Sequence, residues 1–599
     1  MKNFITSMLG SLVAMVIFAT VAFVLFIGFI GAIVAMGQQK KVPELTSGSY
    51  LVFDLSSNIT DAPPPIDLDG FNGGGTDVVQ LRSITRALRY AAHDGKIRGV
   101  LLLGNLTPRL TGSGFAALRE IRAALSDFRA SGKPVLAYID YATTRDYYLA
   151  SAANEIVIDP YGMILMPGLA SQPIFYAGAF EKYGVGVQVT RVGKYKSYVE
   201  PFTRTDMSPE NREQLQKLLD DLWGTLTADI GRARGITPES IQATVDAEGL
   251  IKPPAASRAH LVDKVAYRDE VVERLKKETG VTSATESFKQ IPLGVYARTA
   301  VHPPVPTGAG RVAIVYAEGD IVDGEGDSTE VGGARFAREI RNLREDSSVK
   351  AIVLRVNSPG GSVTASETIQ RELRLARRSK PVIVSMGSYA ASGGYWISAY
   401  GDRIFAEPTT ITGSIGVFGI QFNLQKLAND HGFTFDSVKT GKYADSITIA
   451  RPLTDDELSV MQRQVDWIYS QFIAKVAEGR KLKANFVEEI AQGRVWSGAE
   501  AKKLGLVDEL GGLNDAIRYA GAQAHLPPTF RVSEFPRSKN LSEALAEMFG
   551  RYAPASLHLK SSGIVGQIVD ELQSVFARLR ALNDPQGVYA RMPMDIAVR

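Results

Sequence analysis

Two distant stretches of this chain follow one plan. "GKPVLAYIDYATTRDYYLASAANEIVIDP" (132–160) and "SKPVIVSMGSYAASGGYWISAYGDRIFAEP" (379–408) each read as strand, small-residue turn, aromatic helix, strand and proline. Tyr147 pairs with Tyr395, Pro160 with Pro408, and Gly193 with Gly441, always 248 residues apart. The last pair comes from a second landmark, a Gly-Lys-Tyr turn present at 193–195 and 441–443. Two landmarks at one spacing mean a duplication, so the chain must build the same unit twice. With small shifts in spacing, "IRGVLLLG" (97–104) matches "VKAIVLRV" (349–356), and "HLVDKV" (260–265) matches "GLVDEL" (505–510).

Within each copy, apolar β-branched runs alternate with helical stretches, the pattern of an α/β fold with mainly parallel strands. Strands this short and uniformly apolar are expected to be buried on both faces. Thr454 with Glu457 forms a capping box at the head of one long helix, and Ser208-Pro209 opens its counterpart. The copies are expected over 47–296 and 310–535, joined by a Pro/Gly-rich linker at 297–309. A tail at 536–599 carries two amphipathic patterns, "LSEALAEMFGRY" and "GIVGQIVDELQSVFARLRALN".

Residues 8–36 contain no charge, and about 20 apolar residues span a bilayer. This is too long for the apolar core of a cleaved signal, so an uncleaved transmembrane anchor is expected within residues 1–40. Lys2 on one side and Lys40 and Lys41 on the other leave its orientation undecided by charge.

Composition narrows the chemistry. The chain has 599 residues and no cysteine, which removes disulfides, thiolate nucleophiles and zinc–thiolate sites. The six histidines show no metal-ligand spacing, and a net charge of +3 gives no reason to expect a nucleic-acid partner. No cofactor or metal is implied.

In the second copy, "SYAASGGYW" (388–396) follows a strand and opens a helix. Small residues around Ser392 would leave its hydroxyl uncovered and point helix N-terminal amides at whatever it attacks. Taken alone, the stretch reads more simply as a glycine-rich helix cap packed against a neighbour. "NSPGG" (357–361) could present backbone amides to a phosphate or to an oxyanion, but it lacks the lysine of a phosphate-binding loop. Both loops lie at the C-terminal ends of strands, where open α/β sheets bind ligands. With histidine unpromising, a serine here would need a neutral lysine as base. Burial would have to lower that lysine by about 3 units from ~10.4, at a cost of about 4 kcal/mol.

Taken together, "NSPGGSV", "YAASGGYWIS", "TGSIGVFG" and "VWSGAEAKKLGLVDELGG" resemble the signal peptide peptidases of the protease IV type, over roughly residues 48–535. The resemblance implies two tandem crotonase/Clp-like α/β domains after one N-terminal transmembrane helix. It also implies a Ser/Lys-dyad serine protease that degrades apolar signal-peptide remnants. Such an enzyme is anchored in the bacterial inner membrane, faces the periplasm and assembles as a homotetramer. By motif, Ser392 is the nucleophile, Lys196 in "GKYKSYVEPF" the base, and Ser414 in "TGSIG" its hydrogen-bond partner. Gly393 and Gly360 or Gly361 supply the oxyanion donors. At the 248-residue spacing Lys196 falls on Ala444 and Ser392 on Thr144, so each copy keeps one half of a single site. Lys194 and Lys442, common to both copies, are the alternative bases. A crotonase-type acyl-CoA enzyme and a non-catalytic peptide-binding membrane scaffold are the competing readings.

Overall fold

The computed structural model describes residues 45–64, 66–67, 78–106, 113–301, 310–540 and 582–592, with six isolated positions near the N-terminus. The first copy builds a parallel sheet from β1 (Ser49–Asp54), β2 (Ile97–Leu103), β3 (Val135–Thr143) and β4 (Glu155–Leu165). Its order is β4-β3-β2-β1, extended by Lys264–Val265 beside β4 and Gln290–Pro292 beside β1. A further strand, β5 (Gly186–Arg191), leaves this sheet.

The second copy repeats the plan with β6 (Arg311–Glu318), β7 (Val349–Ser358), β8 (Gly360–Ser362), β9 (Val382–Ala391), β10 (Ile411–Gly413) and β11 (Phe418–Asn423). The path β10-β9-β7-β6 continues into Arg531–Phe535, all parallel, and Val495–Ser497 closes the other edge antiparallel. Every residue of β9 is buried, as expected of a strand covered on both faces.

The duplication extends to single hydrogen bonds. The Tyr147 hydroxyl donates to the Leu261 carbonyl at 2.7 Å, and the Tyr395 hydroxyl to the Leu506 carbonyl at 2.8 Å. Asp263 accepts from the Ile156 amide, and Asp508 from the Ile404 amide, both at 2.8 Å. Both long helices start as their caps predict, at Ser208 and at the Thr454–Glu457 box.

The copies are fastened together by a shared core and a shared strand pairing. Tyr389, Ala391, Ile411 and Val495 of the second copy pack into the apolar core of the first. β5 pairs antiparallel with β11 over six residue pairs, from Arg191 opposite Phe418 to Gly186 opposite Asn423. Arg355, fully buried, donates to Asp61 at 2.8 Å and lies 2.7 Å from Glu120, both of the first copy. In the low-dielectric interior these two carboxylates offset the cost of burying the guanidinium.

Three sequence expectations meet the structure differently. The linker expected at 297–309 begins inside a helix, Leu293–Thr299. The two amphipathic tail patterns lie almost entirely outside the described residues, but the tail also contains a strand that the patterns did not foretell, β12 (Val588–Arg591). Most of the uncharged segment 8–36 lies outside the described residues, among which no helix is long and apolar enough to cross a membrane.

Candidate active site

Ser392 sits between β9 and the helix Gly393–Ser398. It has φ 56° and ψ −111°, and its amide donates to the Gly413 carbonyl at 2.8 Å. Ser414 has φ 49° and Gln492 φ 51°. Three of the six described non-glycine residues with positive φ therefore surround one point. Such conformations persist only where neighbouring structure holds them, and they concentrate at functional sites.

Lys196 arrives from the other copy. The β5–β11 ladder carries the chain to the site, continued by the Val192 amide donating to the Val417 carbonyl at 3.1 Å. The Tyr195 amide then donates to the Gln492 carbonyl at 2.9 Å. Gln214 closes the junction: its amide nitrogen donates to the Tyr195 carbonyl at 2.9 Å, and its oxygen accepts from the Val495 amide at 3.2 Å. Lys196 Nζ lies 2.7 Å from Ser392 Oγ, 3.0 Å from Ser414 Oγ and 3.2 Å from the Ser414 carbonyl oxygen. All three side chains are fully buried. Burial holds the Lys196 amine well below the ordinary lysine range, and no carboxylate pairs with it among the described residues. A neutral amine beside a serine hydroxyl can take that hydroxyl's proton.

The other two lysines stay out. Lys194 is exposed, its ammonium 5.0 Å from the Tyr195 ring centre. Lys442 is exposed and paired with Asp456 at 2.5 Å.

The glycine loop faces Ser392 from β8. A side chain on Gly360 would come within 2.6 Å of the Gly393 nitrogen, so the two predicted donor segments converge. The Gly360 amide already donates to Ser358 Oγ at 3.2 Å, and Gly360, Gly361 (φ 154°) and Ser362 all lie in strand register with β12.

The first copy shows what a closed version looks like. There Asp146 stands where the second copy has Gly394. Its carboxylate accepts from the Thr143 amide at 2.8 Å and from the Leu106 amide at 2.6 Å, Leu106 lying in the loop that replaces "NSPGG". The carboxylate thus closes a capping box at the head of this helix and ties it to that loop. Sequence reasoning passed over Asp146, Gln214, Gln492 and Gly493, the last of which packs directly against the Lys196 backbone. Only Asp146 was visible there, as an acid at the head of a helix in the degenerate copy.

A family model described as peptidase family S49 matches residues 127–282 and 374–526, and one for Clp protease matches 321–412. A curated protein named Protease 4 from Salmonella typhi is 37% identical over 91% of this chain and 90% of its own length. Serine protease SPPA, chloroplastic, from Arabidopsis thaliana is 33% identical over 91% of this chain and 77% of its own. Protease 4 from Haemophilus influenzae is 32% identical over 92% of each.

Proposed function

The chain belongs to peptidase family S49 and is a serine protease, and from that premise we propose that Ser392 is its nucleophile and Lys196 its general base. The observation that carries this reading is the 2.7 Å contact between Lys196 Nζ and Ser392 Oγ in a fully buried setting. Neutral Lys196 takes the hydroxyl proton as Ser392 attacks the scissile carbonyl. The resulting ammonium protonates the leaving amine, and water, deprotonated by the same lysine, hydrolyses the acyl-enzyme. Ser414 orients the amine through its hydroxyl and carbonyl. The amides of Gly393 and Gly361 receive the oxyanion, and Gly360 gives the backbone room to approach.

The substrates are apolar peptides, including remnants of cleaved signal peptides. The uncharged segment 8–36 supports a membrane anchor, with the two α/β copies at 47–296 and 310–535 on the periplasmic side of a bacterial inner membrane.

The enzyme works as a homotetramer. Within the chain, β5 of the first copy completes β11 of the second. At the 248-residue spacing their counterparts are 434–439 and 170–175, and neither forms a strand. Residues 434–439 are exposed and carry Phe435 and Val438, flanked by exposed Phe433, Ile447 and Ile449. Exposed apolar residues gathered in one segment mark an interaction surface. A neighbouring chain's 170–175 edge would repeat the internal junction head to tail, the kind of contact that closes into a ring.

A serine-directed phosphonate probe and an apolar reporter peptide test the catalytic assignment. Wild type is expected to be labelled and active, and Ser392→Ala neither. Equal labelling of the two proteins would refute Ser392 as nucleophile.

A further inference from the structure

The parallel ladder of the second copy is interrupted where it meets the site. Val356 of β7 lies opposite Met386 of β9, but Ser358 lies opposite Ala390. Residues 387–389 therefore form a bulge with only Asn357 across from them. Bulges recur beside active sites, where they re-aim the strand that carries them. Here β7 runs on into the Pro359-Gly360-Gly361 loop, and β9 runs on into Ser392. A side chain on Gly387 would come within 2.8 Å of Asp61 Oδ2 and 3.2 Å of Asn357, so the bulge is tightly packed.

Asn357 bridges the two strands at this point. Its Oδ1 accepts from the Tyr389 amide at 3.1 Å. A backbone amide can only donate, so Nδ2 is turned the other way, toward Glu318 Oε1 at the end of β6, 3.4 Å off. Glu318 also accepts from the Asp61 amide at 3.2 Å and the Ala62 amide at 2.7 Å, both of the first copy. The Gly319 amide donates to the Asn357 carbonyl at 3.1 Å. The first copy keeps the asparagine and changes the acid. Asn105 follows "IRGVLLLG" as Asn357 follows "VKAIVLRV", and it donates to the carbonyl of Tyr141, the counterpart of Tyr389. The carboxylate beside it is that of Asp146, 3.5 Å from its Nδ2, at the head of the helix. In the second copy Gly394 takes that place and the carboxylate comes from β6 instead. The asparagine keeps an acid partner while the helix head carries no acid.

We propose that Glu318 is a positioning residue of the catalytic centre: by holding Asn357 against Tyr389, it sets the spacing between the glycine loop and Ser392. The inference rests on the Ser392–Lys196 assignment above. The role requires an acceptor at 318. A glutamine there would turn its own N–H groups on the Asp61 or Ala62 amide or on Asn357 Nδ2, all of which donate. Reversing the Asn357 amide in response would set its Nδ2 against the Tyr389 amide. Burial and the Asp61 carboxylate, itself paired with Arg355, push Glu318 up to about 7. Its ionised, accepting form therefore prevails in alkaline solution.

Glu318→Gln, Asn357→Ala and the double variant, compared with wild type as full chains at about pH 9, test this. Each single variant is expected to lower kcat on an apolar reporter peptide by about 10- to 100-fold with KM unchanged, because the spacing matters when the oxyanion forms. Affinity for a peptide boronate, which forms a tetrahedral adduct on the serine, is expected to fall by the same factor. The double variant is expected to lose no more than either single one, as two ends of one bridge. Should Glu318→Gln fail to fold, Asn357→Ala carries the same expectation from the other end. Wild-type kcat in either variant, a loss confined to KM, or losses that multiply in the double variant would overturn the positioning role, while an inactive Ser392→Ala would leave the dyad standing. A fully active Ser392→Ala would overturn the catalytic assignment and this inference with it.

Discussion

Gly493 has no room for a side chain because the backbone of Lys196 runs across it. A methyl group there would stand 2.7 Å from the Lys196 nitrogen and 2.8 Å from its Cα, and Gly493 itself has φ +76°. The second copy therefore provides a seat shaped for the lysine of the first. Gly493→Ala is expected to displace Lys196 by a fraction of an ångström to an ångström. Loss of alignment on that scale lowers kcat by up to about 100-fold. Steady-state kinetics at a pH where wild type is fully active, with circular dichroism to verify folding, decides it. Unchanged kcat would show that the lysine tolerates the shift.

As the proposed general base, Lys196 must be neutral to act, and burial already lowers its affinity for a proton. The proton it loses as pH rises is the one that blocks catalysis. The kcat/KM profile is therefore expected to climb with pH and reach its plateau well below the ordinary lysine pKa of about 10.4. Lys196→Met keeps the volume and removes the base, which should lower kcat/KM by about 10²–10⁴-fold and abolish the climb. A Lys196→Met enzyme that retained the wild-type profile would move the base elsewhere.

Arg355 joins Asp61 and Glu120 across the copy boundary where no solvent reaches. Arg355→Met would leave two buried carboxylates without their cation, at a cost of about 3–5 kcal/mol. A large fall in the thermal midpoint is expected. Most of it should return when Asp61→Leu and Glu120→Leu are added, because the unpaired charges are then gone. Persistence of the full loss in the triple variant would mean that packing, rather than charge, makes Arg355 necessary.

Glu407 is pushed up to about 8 by burial and by the nearby Glu120 charge, although Arg119 donates to it at 2.8 Å and Arg355 also favours its ionised form. Between the ordinary carboxylate range and about pH 8, the folded protein holds a proton that the unfolded chain has released. This contribution is fully present below the unfolded pKa, and stability falls as pH rises through that window. Thermal midpoints from pH 5 to 8 are expected to decline more in wild type than in Glu407→Gln, whose side chain cannot titrate. Parallel curves would exclude Glu407 as the source.

The proposed ring depends on 434–439. Val438→Asp together with Phe435→Asp places charge on the exposed counterpart of β5, far in sequence from Lys196 and Ser392. Light scattering is expected to report a tetramer for wild type and smaller species for the double variant. A double variant that remains tetrameric would locate the interface elsewhere.

The duplicated α/β plan, the helix caps and both catalytic candidates were legible in the sequence because each depends on local chemistry. Strand runs, turn glycines and cap residues recur at fixed offsets whatever lies across from them, and a degenerate copy beside an intact one shows which positions have lost their chemistry. "SYAASGGYW" against "DYATTRDYY" was such a comparison. What lay beyond it were contacts between residues hundreds of positions apart. No periodicity links Lys196 to Gly493, Arg355 to Asp61, or Ala590 to Gly361, because those distances are set by how β5, β11 and β12 pair. The sequence by itself determined the two units and which half of the candidate site each carries. Only the tertiary structure decided that the halves meet within one chain, that the lysine is dry, and that β12 pairs with β8 and β11. Burial and strand register are properties of the packed whole.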